Sequence, residues 1–559
     1  MNDRVDDPGH DEVLFLPLGG VGEIGMNMYL YGHKDRWIMV DCGISFGDDY
    51  TPGIDILTAD PSFIADRKGK LDGIIVTHAH EDHIGAIGYL WQELECPVYV
   101  SPFAAEVLDH KLAENDLDGD VKIHKVKPGK SFKVGAFEIE MISVSHSVPE
   151  ANALAITTDV GTLIHTGDFK FDSDPLILPA LDEARFKALG DKGVRALICD
   201  STNALDEGST GSEGDAKAGL LAQITELENR VAVTCFSTNV ARLVGLLDIA
   251  AQTGRRPCLV GRSLVRMGSI AKKLGYLPKG IEFVDEEHVG LLPKNEVLIV
   301  CTGSQGEPMS ALARISRQEH RHLTLDAGDA VIFSAREIPG NETKIGRVQN
   351  RLTGQGVQLI TENDGMIHVS GHPAREDLKR LYDLVRPDIL IPMHGETRHL
   401  LAHRDLALAH GIDQALYVRN GNAVGIVKDG PAKITAEIPS GRLGLDGDRL
   451  VEIDGSILRE RRKISSVGHV TAVIVVNEKG EALADPIVSS LGVLDKAYEG
   501  DIASEAEDWA WDALDRVPNA DRKSDKDIAE FVRRALRRFF MDETGKKPVI
   551  DVHVTRLKK

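Results

Sequence analysis

Short apolar runs recur along the chain, and many of them end in a segment rich in Gly, Ser, Thr, Asp or His. The most regular of these runs are Leu71–Val76, Ala196–Cys199, Val231–Cys235, Val297–Cys301, Ala330–Phe333 and Ile389–Ile391. Amphipathic, helix-like stretches lie between several of them, for example Ala216–Leu227 and Val240–Ala251. Strands that alternate with helices predict an α/β architecture, and such folds place functional side chains at the ends of strands.

The pattern changes at both ends of the chain. The first part holds more hairpin-like β material, such as Phe132–Val144 and Ala153–Ile164. A Gly- and Asp-rich stretch, predicted as a linker at 446–464, precedes a tail that we expect to form a small α+β domain at 465–559. The tail's predicted elements are a strand at Val470–Val476, a helix at Asp527–Phe540 and a strand at Pro548–Val554.

Length and composition suit a protein of two or three domains, because 559 residues exceed what one core usually holds. No apolar run approaches the ~18 residues of a membrane span, so no membrane association is expected. The acidic N-terminus has no apolar segment of the kind that signal peptides carry. Six cysteines without a C-x-x-C pair indicate a reducing compartment, and the cytoplasm is the predicted location.

Net charge constrains the partners only weakly. A formal charge of −22 argues against a general nucleic-acid coat protein, which is normally basic. It does not exclude a nuclease whose bound metal ions supply the local positive charge.

The segment T-H-A-H-E-D-H at 77–83 is the strongest chemical signal in the chain. His78 and His80 alternate along an extended stretch, and Asp82 and His83 follow where a helix should begin. Three imidazoles and a carboxylate so close together are hard to bury without a common partner. Zn²⁺ takes nitrogen and oxygen ligands at ~2.0–2.2 Å and satisfies such a set at once. The cluster therefore predicts a metal site.

The H-x-H-x-D-H pattern resembles the signature of the metallo-β-lactamase superfamily. That resemblance implies an αββα sandwich and three further ligands, each after a strand: His146, Asp168 and His394. It also implies that His78, His80 and His146 hold one metal ion and that Asp82, His83 and His394 hold a second, with Asp168 bridging. Two Zn²⁺ per subunit are expected, although Mn²⁺ or Mg²⁺ suits a similar ligand set.

The spacing of these ligands narrows the resemblance. Asp168 and His394 are 226 residues apart, which leaves room for an inserted domain at 207–360 between sandwich halves at 1–206 and 361–445. Asp200 in I-C-D-S-T-N, His372 in H-V-S-G-H-P and the segment C-T-G-S-Q-G-E-P resemble motifs of the nucleic-acid-cleaving β-CASP group. With G-G-V-G-E-I-G-M-N at 19–27 and the C-terminal domain, the whole chain is similar to the bacterial ribonuclease J family.

This resemblance implies an activity and a set of roles. The expected activity is 5′→3′ exoribonuclease with a preference for a 5′-monophosphate, together with endoribonuclease, in RNA processing and mRNA decay. The catalytic residues would be Asp82, Asp168, Asp200 and His372, with His372 as general acid. The terminal phosphate would be bound by Ser237, Thr238, Asn239, His368, Ser370, Gly371 and His372. The partners would be single-stranded RNA, further copies of the chain in a homodimer or homotetramer, and proteins of an RNA-degradation complex.

Several alternatives stay open at this level. A β-CASP nuclease that mainly makes internal RNA cuts, or that acts on DNA, shares the same motifs. A small-molecule metallohydrolase, such as a lactonase or thioesterase, and a non-catalytic RNA scaffold are further possibilities, because a fold alone does not define a function. Individual residues are open as well: His165 is either an outer partner of a ligand or a buried strand histidine. Arg336 and Glu337 either contact RNA or pair with each other.

Overall fold

The computed structural model describes residues 8–495 and 499–557, and the chain divides into two compact units. The first unit comprises the residues up to Ser45 together with Thr58–Gly441. The second comprises Phe46–Leu57 and the chain from Arg442 onward. No helix within the described ranges is long and apolar enough to cross a membrane.

Two mixed sheets dominate the first unit. The eight-stranded sheet runs in the order Lys433–Glu437, Asn422–Val427, Glu12–Gly19, Met28–His33, Arg36–Val40, Leu71–Ile75, Val98–Val100 and Ile123–Lys125. The seven-stranded sheet runs in the order Ser131–Val134, Phe137–Ser143, Asn152–Thr158, Gly161–His165, Val194–Asp200, Pro387–Met393 and Gln414–Ala415. Phe15 and Ile38 of one sheet share a buried cluster with Ile139 and Ile389 of the other. Strands such as Glu12–Gly19 are buried almost throughout because the sheets are covered on both faces.

Helices cover the outer faces of these sheets. Pro102–Glu114 packs against Val98–Val100 and Ile123–Lys125, and Ser101 caps it by accepting a hydrogen bond from the Ala104 amide. The seven-stranded sheet is covered by Glu183–Lys192, Arg375–Val385 and Thr397–His410. The layers are therefore helix, sheet, sheet and helix, which confirms the predicted αββα sandwich.

A five-stranded parallel sheet lies in the chain between Val194–Asp200 and Pro387–Met393. Its strands, in spatial order, are Arg256–Val260, Val297–Cys301, Val231–Thr234, Ala330–Phe333 and Gln358–Ile360. Its helices are Glu213–Thr225, Val240–Thr253, Arg262–Lys273, Ala311–Ser316 and Glu342–Gly354. The continuous apolar runs that predicted three of these strands, Val231–Thr234, Val297–Cys301 and Ala330–Phe333, reflect burial on both sheet faces, as parallel sheets require. The two edge strands, Arg256–Val260 and Gln358–Ile360, were not predicted from the sequence.

The second unit differs from the prediction in one place. The segment 446–464, predicted as a linker, contains regular structure: Arg442–Asp446 pairs with Arg449–Glu452 as a hairpin, and the helix Ser456–Val467 follows. The Gly- and Asp-rich composition reflects the hairpin turn, where Gly447 has a φ of +66°. The unit then forms a three-stranded sheet in the order Ile487–Leu491, His469–Val476 and Val549–Arg556, with Glu499–Asp515 and Asp525–Thr544 packed against it.

Short elements complete the described chain. The strands are Val21–Gly22, Ile44–Phe46, Ile56–Ala59 and Gly395–Glu396, and the α-helices are Ser62–Ala65, Glu81–Ile84 and Ile87–Leu94. The 3-10 turns are Val289–Leu291, Lys294–Glu296, Glu362–Asp364 and Asp521–Lys523.

Candidate metal centre and active site

The predicted site residues gather at one edge of the sandwich because of strand direction. Gly161–His165, Val194–Asp200 and Pro387–Met393 are neighbouring parallel strands, so their carboxyl ends lie side by side. Asp168, Asp200 and His394 stand at or just beyond those ends. His394 follows its strand at once with a φ of +50°, a left-handed conformation that is uncommon outside glycine.

Three imidazoles and a carboxylate form the first donor group. His80 Nδ1 lies 3.1 Å from His78 Nε2 and 3.0 Å from His146 Nε2. Asp168 Oδ2 lies 3.6 Å from His78 Nε2 and 3.7 Å from His146 Nε2. Donor atoms of a tetrahedral zinc site with bonds of ~2.0–2.1 Å are roughly 3.3 Å apart. The four atoms are thus spaced as one ion requires.

The second donor group contains Asp82, His83 and His394, and it shares Asp168 with the first. His394 Nε2 lies 3.1 Å from Asp82 Oδ2, and His83 Nε2 lies 3.2 Å from Asp168 Oδ2. His394 Nε2 is also 3.8 Å from Asp168 Oδ1. The structure therefore brings all seven predicted ligands together, in two groups joined by one carboxylate.

The charges of this cluster suit cation binding. Burial lowers the pKa of His78 and His146 well below the ordinary value, so both rings are neutral and keep a lone pair for a ligand bond. Burial alone would raise the pKa of Asp168, but electrostatic interaction with the His394 and His83 rings, together with a hydrogen bond from His83, holds it well below its usual range. Asp168 Oδ1 is buried without a hydrogen-bond partner. A buried, ionised oxygen without a donor is costly, and a divalent cation would remove that cost.

Outer partners orient the ligand rings. His83 Nδ1 donates to Asp41 Oδ2 at 2.7 Å, and His146 Nδ1 donates to the Gly371 carbonyl at 2.7 Å. A donor at Nδ1 leaves Nε2 as the lone-pair nitrogen, which is the atom within each cluster. His394 Nδ1 meets Thr202 Oγ1 at 2.7 Å.

The sequence interpretation missed these partners. Asp41 follows the strand Arg36–Val40, and Thr202 follows Asp200, so a polar residue at a strand end was the only available signal. His165 does not join the donor groups: its Nδ1 lies 2.9 Å from the Tyr31 hydroxyl in the core, as a buried strand histidine.

His372 stands over the second donor group on a different segment. Its Nδ1 donates to Asp200 Oδ2 at 2.8 Å, and its ring stacks on His394 with centroids 5.4 Å apart. Burial alone would lower the pKa of His372, but the carboxylates of Asp200 and Asp168 raise it above the ordinary histidine value. A protonated imidazole is thus favoured next to the second donor group.

The predicted phosphate-binding segment 368–372 adjoins the first donor group. Ser370 Oγ accepts a hydrogen bond from Asn203 Nδ2 at 2.8 Å, and the same amide donates to the His372 carbonyl at 3.1 Å. A Cβ on Gly371 would lie 2.6 Å from the His146 ring, so only glycine allows this approach. Burial, with the positive charge of Arg242, lowers the pKa of His368 to about 3.

The predicted loop 237–239 begins the helix Val240–Thr253. Asn239 caps that helix, and its Oδ1 accepts a hydrogen bond from the Arg242 amide at 2.8 Å. Ser237 and Thr238 are partly exposed on the same turn. The Ala241 amide donates to the Ser147 carbonyl at 3.1 Å, which places the helix start beside His146.

Arg336 does not pair with Glu337. Its Nη1 donates to Asn203 Oδ1 at 3.1 Å and to Asp206 Oδ2 at 2.9 Å. Arg336 therefore reaches from the five-stranded sheet to the segment that follows Asp200.

Family models match four consecutive parts of the chain. They are a beta-lactamase superfamily domain at 36–187, a ribonuclease J beta-CASP domain at 228–352, a Zn-dependent metallo-hydrolase RNA specificity domain at 358–416 and a ribonuclease J C-terminal domain at 456–557. Together with the paired donor groups, these matches define a metallo-hydrolase with the metallo-β-lactamase fold and a β-CASP insertion.

Whole-chain relatives identify the family. Ribonuclease J of Sinorhizobium meliloti is 42% identical over 98% of this chain and 98% of its own length. Ribonuclease J of Mycobacterium tuberculosis is 37% identical over 95% of both chains, and that of Helicobacter pylori is 36% identical over 97% of this chain and 79% of its own. The chain therefore belongs to the ribonuclease J family, and it is a metallo-hydrolase of the ribonuclease class.

A solved structure agrees with the fold. A protein of unknown function from Enterococcus faecalis matches 74% of this chain and 100% of its own chain with a TM-score of 0.53, at 16% sequence identity. At that identity the similarity concerns the fold alone.

Proposed function

We propose that this protein is a two-metal ribonuclease that removes nucleotides from the 5′ end of RNA, prefers a 5′-monophosphate, and also cuts internally. One observation carries the proposal: two donor groups share Asp168, and His372, held by Asp200, adjoins them. His78, His80 and His146 would hold one ion, and Asp82, His83 and His394 the other. When bound, two divalent cations supply positive charge that lowers the pKa of a water between them and neutralises phosphate oxygens.

The chain's own residues divide the remaining work. Asp200 accepts a hydrogen bond from His372 Nδ1 and so fixes the orientation of the ring. A proton on Nε2 of the same ring is then available for the departing 3′-oxygen, which is the role of a general acid. Asp41 and Gly371 hold the ligand rings of His83 and His146, so the donor atoms are in place before an ion binds.

The 5′-phosphate would bind between the segment 368–372 and the start of the helix Val240–Thr253. The amides at a helix start favour an anion, and Ser237, Thr238 and Ser370 offer hydroxyl groups. A local pocket of this kind binds a phosphate without a large basic surface, which agrees with the net charge of −22. Holding the terminal phosphate would place the first phosphodiester at the metals and favour successive cleavage.

Zinc is the proposed ion because histidine supplies three of the four donors in the first group and two of the four in the second, and Mn²⁺ or Mg²⁺ would be the alternatives. The proposed location is the cytoplasm, since all six cysteines are buried free thiols. Single-stranded RNA is the proposed substrate, in RNA processing and mRNA decay. Homodimers or homotetramers and RNA-degradation partners are proposed from the family resemblance.

The proposal can be tested with metal-stripped protein that is reloaded with Zn²⁺, Mn²⁺ or Mg²⁺. Its substrate is one RNA oligonucleotide, prepared with a 5′-monophosphate, a 5′-triphosphate or a 5′-hydroxyl. We expect mononucleotide release from the monophosphate substrate, slower release from the other two, and no release without metal. A circular RNA of the same sequence measures internal cleavage, because it has no 5′ end.

Three results would contradict the proposal. If all products were ladder-like internal fragments, the proposed exonuclease activity would be contradicted. Equal cleavage of the matching DNA would contradict the proposed specificity for RNA. Hydrolysis of a thioester or lactone without hydrolysis of RNA would indicate a small-molecule enzyme.

A further inference from the structure

Four buried charged side chains form an alternating network between the inserted sheet and the sandwich. Arg242 pairs with Glu213 through Nε and Nη2 at 3.1–3.3 Å. Lys170 Nζ lies 2.9 Å from Asp172 Oδ2 and 3.9 Å from Glu213 Oε1. The four side chains are each at most 3% exposed. Two positive and two negative charges therefore balance out of contact with solvent.

Arg242 also holds two backbone segments with its remaining nitrogen. Nη1 donates to the Ile367 carbonyl at 2.9 Å, to the Ser334 carbonyl at 3.2 Å and to the Ser334 hydroxyl. The Ser334 hydroxyl in turn donates to the Ile367 carbonyl at 2.7 Å. One guanidinium thus joins the start of its own helix, the end of the strand Ala330–Phe333 and the residue before His368.

The opposite end of the network reaches the metal centre. Lys170 follows Asp168 by two residues, and its amide donates to the Ser145 carbonyl at 2.9 Å, directly before His146. Asp172 Oδ2 accepts a hydrogen bond from the Glu213 amide at 3.1 Å. The network is therefore continuous from the two segments that bear the predicted metal ligands Asp168 and His146 to the two segments that border the predicted phosphate pocket.

The geometry requires arginine at position 242. A guanidinium presents five N–H donors in a fixed planar fork, so it can pair with a carboxylate and bind two carbonyls together. A lysine ammonium is a point charge with three donors and cannot span the same set. Removing one member of a buried ion pair leaves an uncompensated charge, whereas replacing both with apolar groups of similar volume is often tolerated.

We propose that Arg242, paired with Glu213, is a positioning residue that sets the distance between the 5′-phosphate pocket and the metal centre, and thereby the preference for 5′-monophosphorylated RNA. This inference rests on the proposed function. Arg242 is almost completely buried, so it acts through His368 and the helix start rather than on the phosphate itself. Internal cleavage does not use the 5′-phosphate pocket, so it should not depend on this distance.

The test compares Arg242→Lys with the wild-type protein on 5′-monophosphate, 5′-hydroxyl and circular RNA. The 5′-monophosphate preference is measured as kcat/KM for the monophosphate substrate divided by kcat/KM for the hydroxyl substrate. We expect this ratio to fall by roughly 10- to 100-fold, as when a reacting group is misplaced. The loss should lie mainly in kcat, because the phosphate still binds but the scissile bond is displaced. Cleavage of circular RNA and bound metal per chain should stay at the wild-type level.

Two further variants separate positioning from folding. The double variant Arg242→Met, Glu213→Leu removes both charges together, so it should fold and still lose the preference. Arg255→Lys is the matched control: Arg255 is also a buried arginine that binds carbonyls, of Leu227, Asn229 and Val297, but it lies at the amino ends of the inserted strands. Its substitution should leave the preference unchanged.

The outcomes distinguish this inference from the function on which it rests. A wild-type preference in Arg242→Lys, or an equal loss in Arg255→Lys, would overturn the positioning role. The positioning role would also be overturned if Arg242→Lys and the double variant lost circular-RNA cleavage in parallel with the 5′-monophosphate preference. Arg242 would then have only a structural role. Wild-type protein that shows no 5′-phosphate preference would instead contradict the proposed exonuclease function, and the inference with it.

Discussion

His372 Nδ1 lies 2.8 Å from Asp200 Oδ2, although the two residues are 172 positions apart in the chain. Asp200 ends a central strand of the sandwich, and His372 lies on the segment that returns from the inserted sheet. Within the described residues, His372 Nε2 makes no hydrogen bond to the protein, so this nitrogen is left for a substrate atom. Removal of the His372 side chain should therefore reduce the rate of the chemical step more than it reduces metal binding.

We predict that His372→Ala lowers kcat on RNA by about 10²- to 10⁴-fold, the usual contribution of a general acid. Bound metal, measured by elemental analysis, should stay at the wild-type level because all seven donor residues remain. His410→Ala is the control, since His410 also pairs with an aspartate, Asp383, but on the surface. A His372→Ala variant with wild-type kcat would exclude the acid role and leave His372 as a hydrogen-bonding residue.

Asp41 should govern metal affinity through His83. The Asp41→Asn substitution removes the charged acceptor of His83 Nδ1, and loss of such a partner typically costs about 10- to 100-fold in metal affinity. Zinc titration in a chelator buffer measures the change. Asp159→Asn is the matched control. Asp159 Oδ1 lies 2.6 Å from His33 Nε2, and this pair is not part of either donor group. Equal zinc affinity in both variants would contradict the orienting role of Asp41.

Gly371 should not tolerate any side chain. In Gly371→Ala the new Cβ would lie 2.6 Å from the His146 ring, so the ring must move away from its donor group. We expect less bound metal and at least about a 10²-fold loss of activity, as for a displacement of about 1 Å in a catalytic group. Gly346→Ala, in the helix Glu342–Gly354 with open space around the Cβ position, should be harmless or slightly stabilising. A fully active Gly371→Ala protein would show that the loop can shift without cost.

The core of the C-terminal sheet and helices should depend on Phe540. This side chain is fully buried among residues of the helix Asp525–Thr544 and the strand His469–Val476, so Phe540→Ala should cost about 3–5 kcal/mol. Chemical denaturation, followed by the near-ultraviolet signal of Trp509 and Trp511, measures the change. Met541→Ala, on the exposed face of the same helix, should change the free energy of unfolding by less than about 0.5 kcal/mol. Similar unfolding curves for the two variants would contradict the assigned core.

The sequence alone was sufficient for features that depend on neighbouring residues. T-H-A-H-E-D-H places His78 and His80 on the extended segment after a strand and Asp82 and His83 in the short helix Glu81–Ile84, and that spacing is visible without coordinates. The apolar runs marked central strands of the sandwich and three of the five strands of the inserted sheet, because continuous burial on two faces leaves a continuous apolar pattern. The resemblance to a known family then indicated the distant ligands, whose motifs are equally local.

Contacts between distant segments were decided by the tertiary structure. That Asp41 accepts a hydrogen bond from His83 and that Gly371 touches His146 depends on how distant parts of the chain pack, and no local pattern encodes it. The hairpin at 442–452 was missed because Gly and Asp are as frequent in tight turns as in linkers. The T-H-A-H-E-D-H motif thus predicts metal ligands by itself, whereas the partners that orient these side chains come from chain positions that only folding brings together.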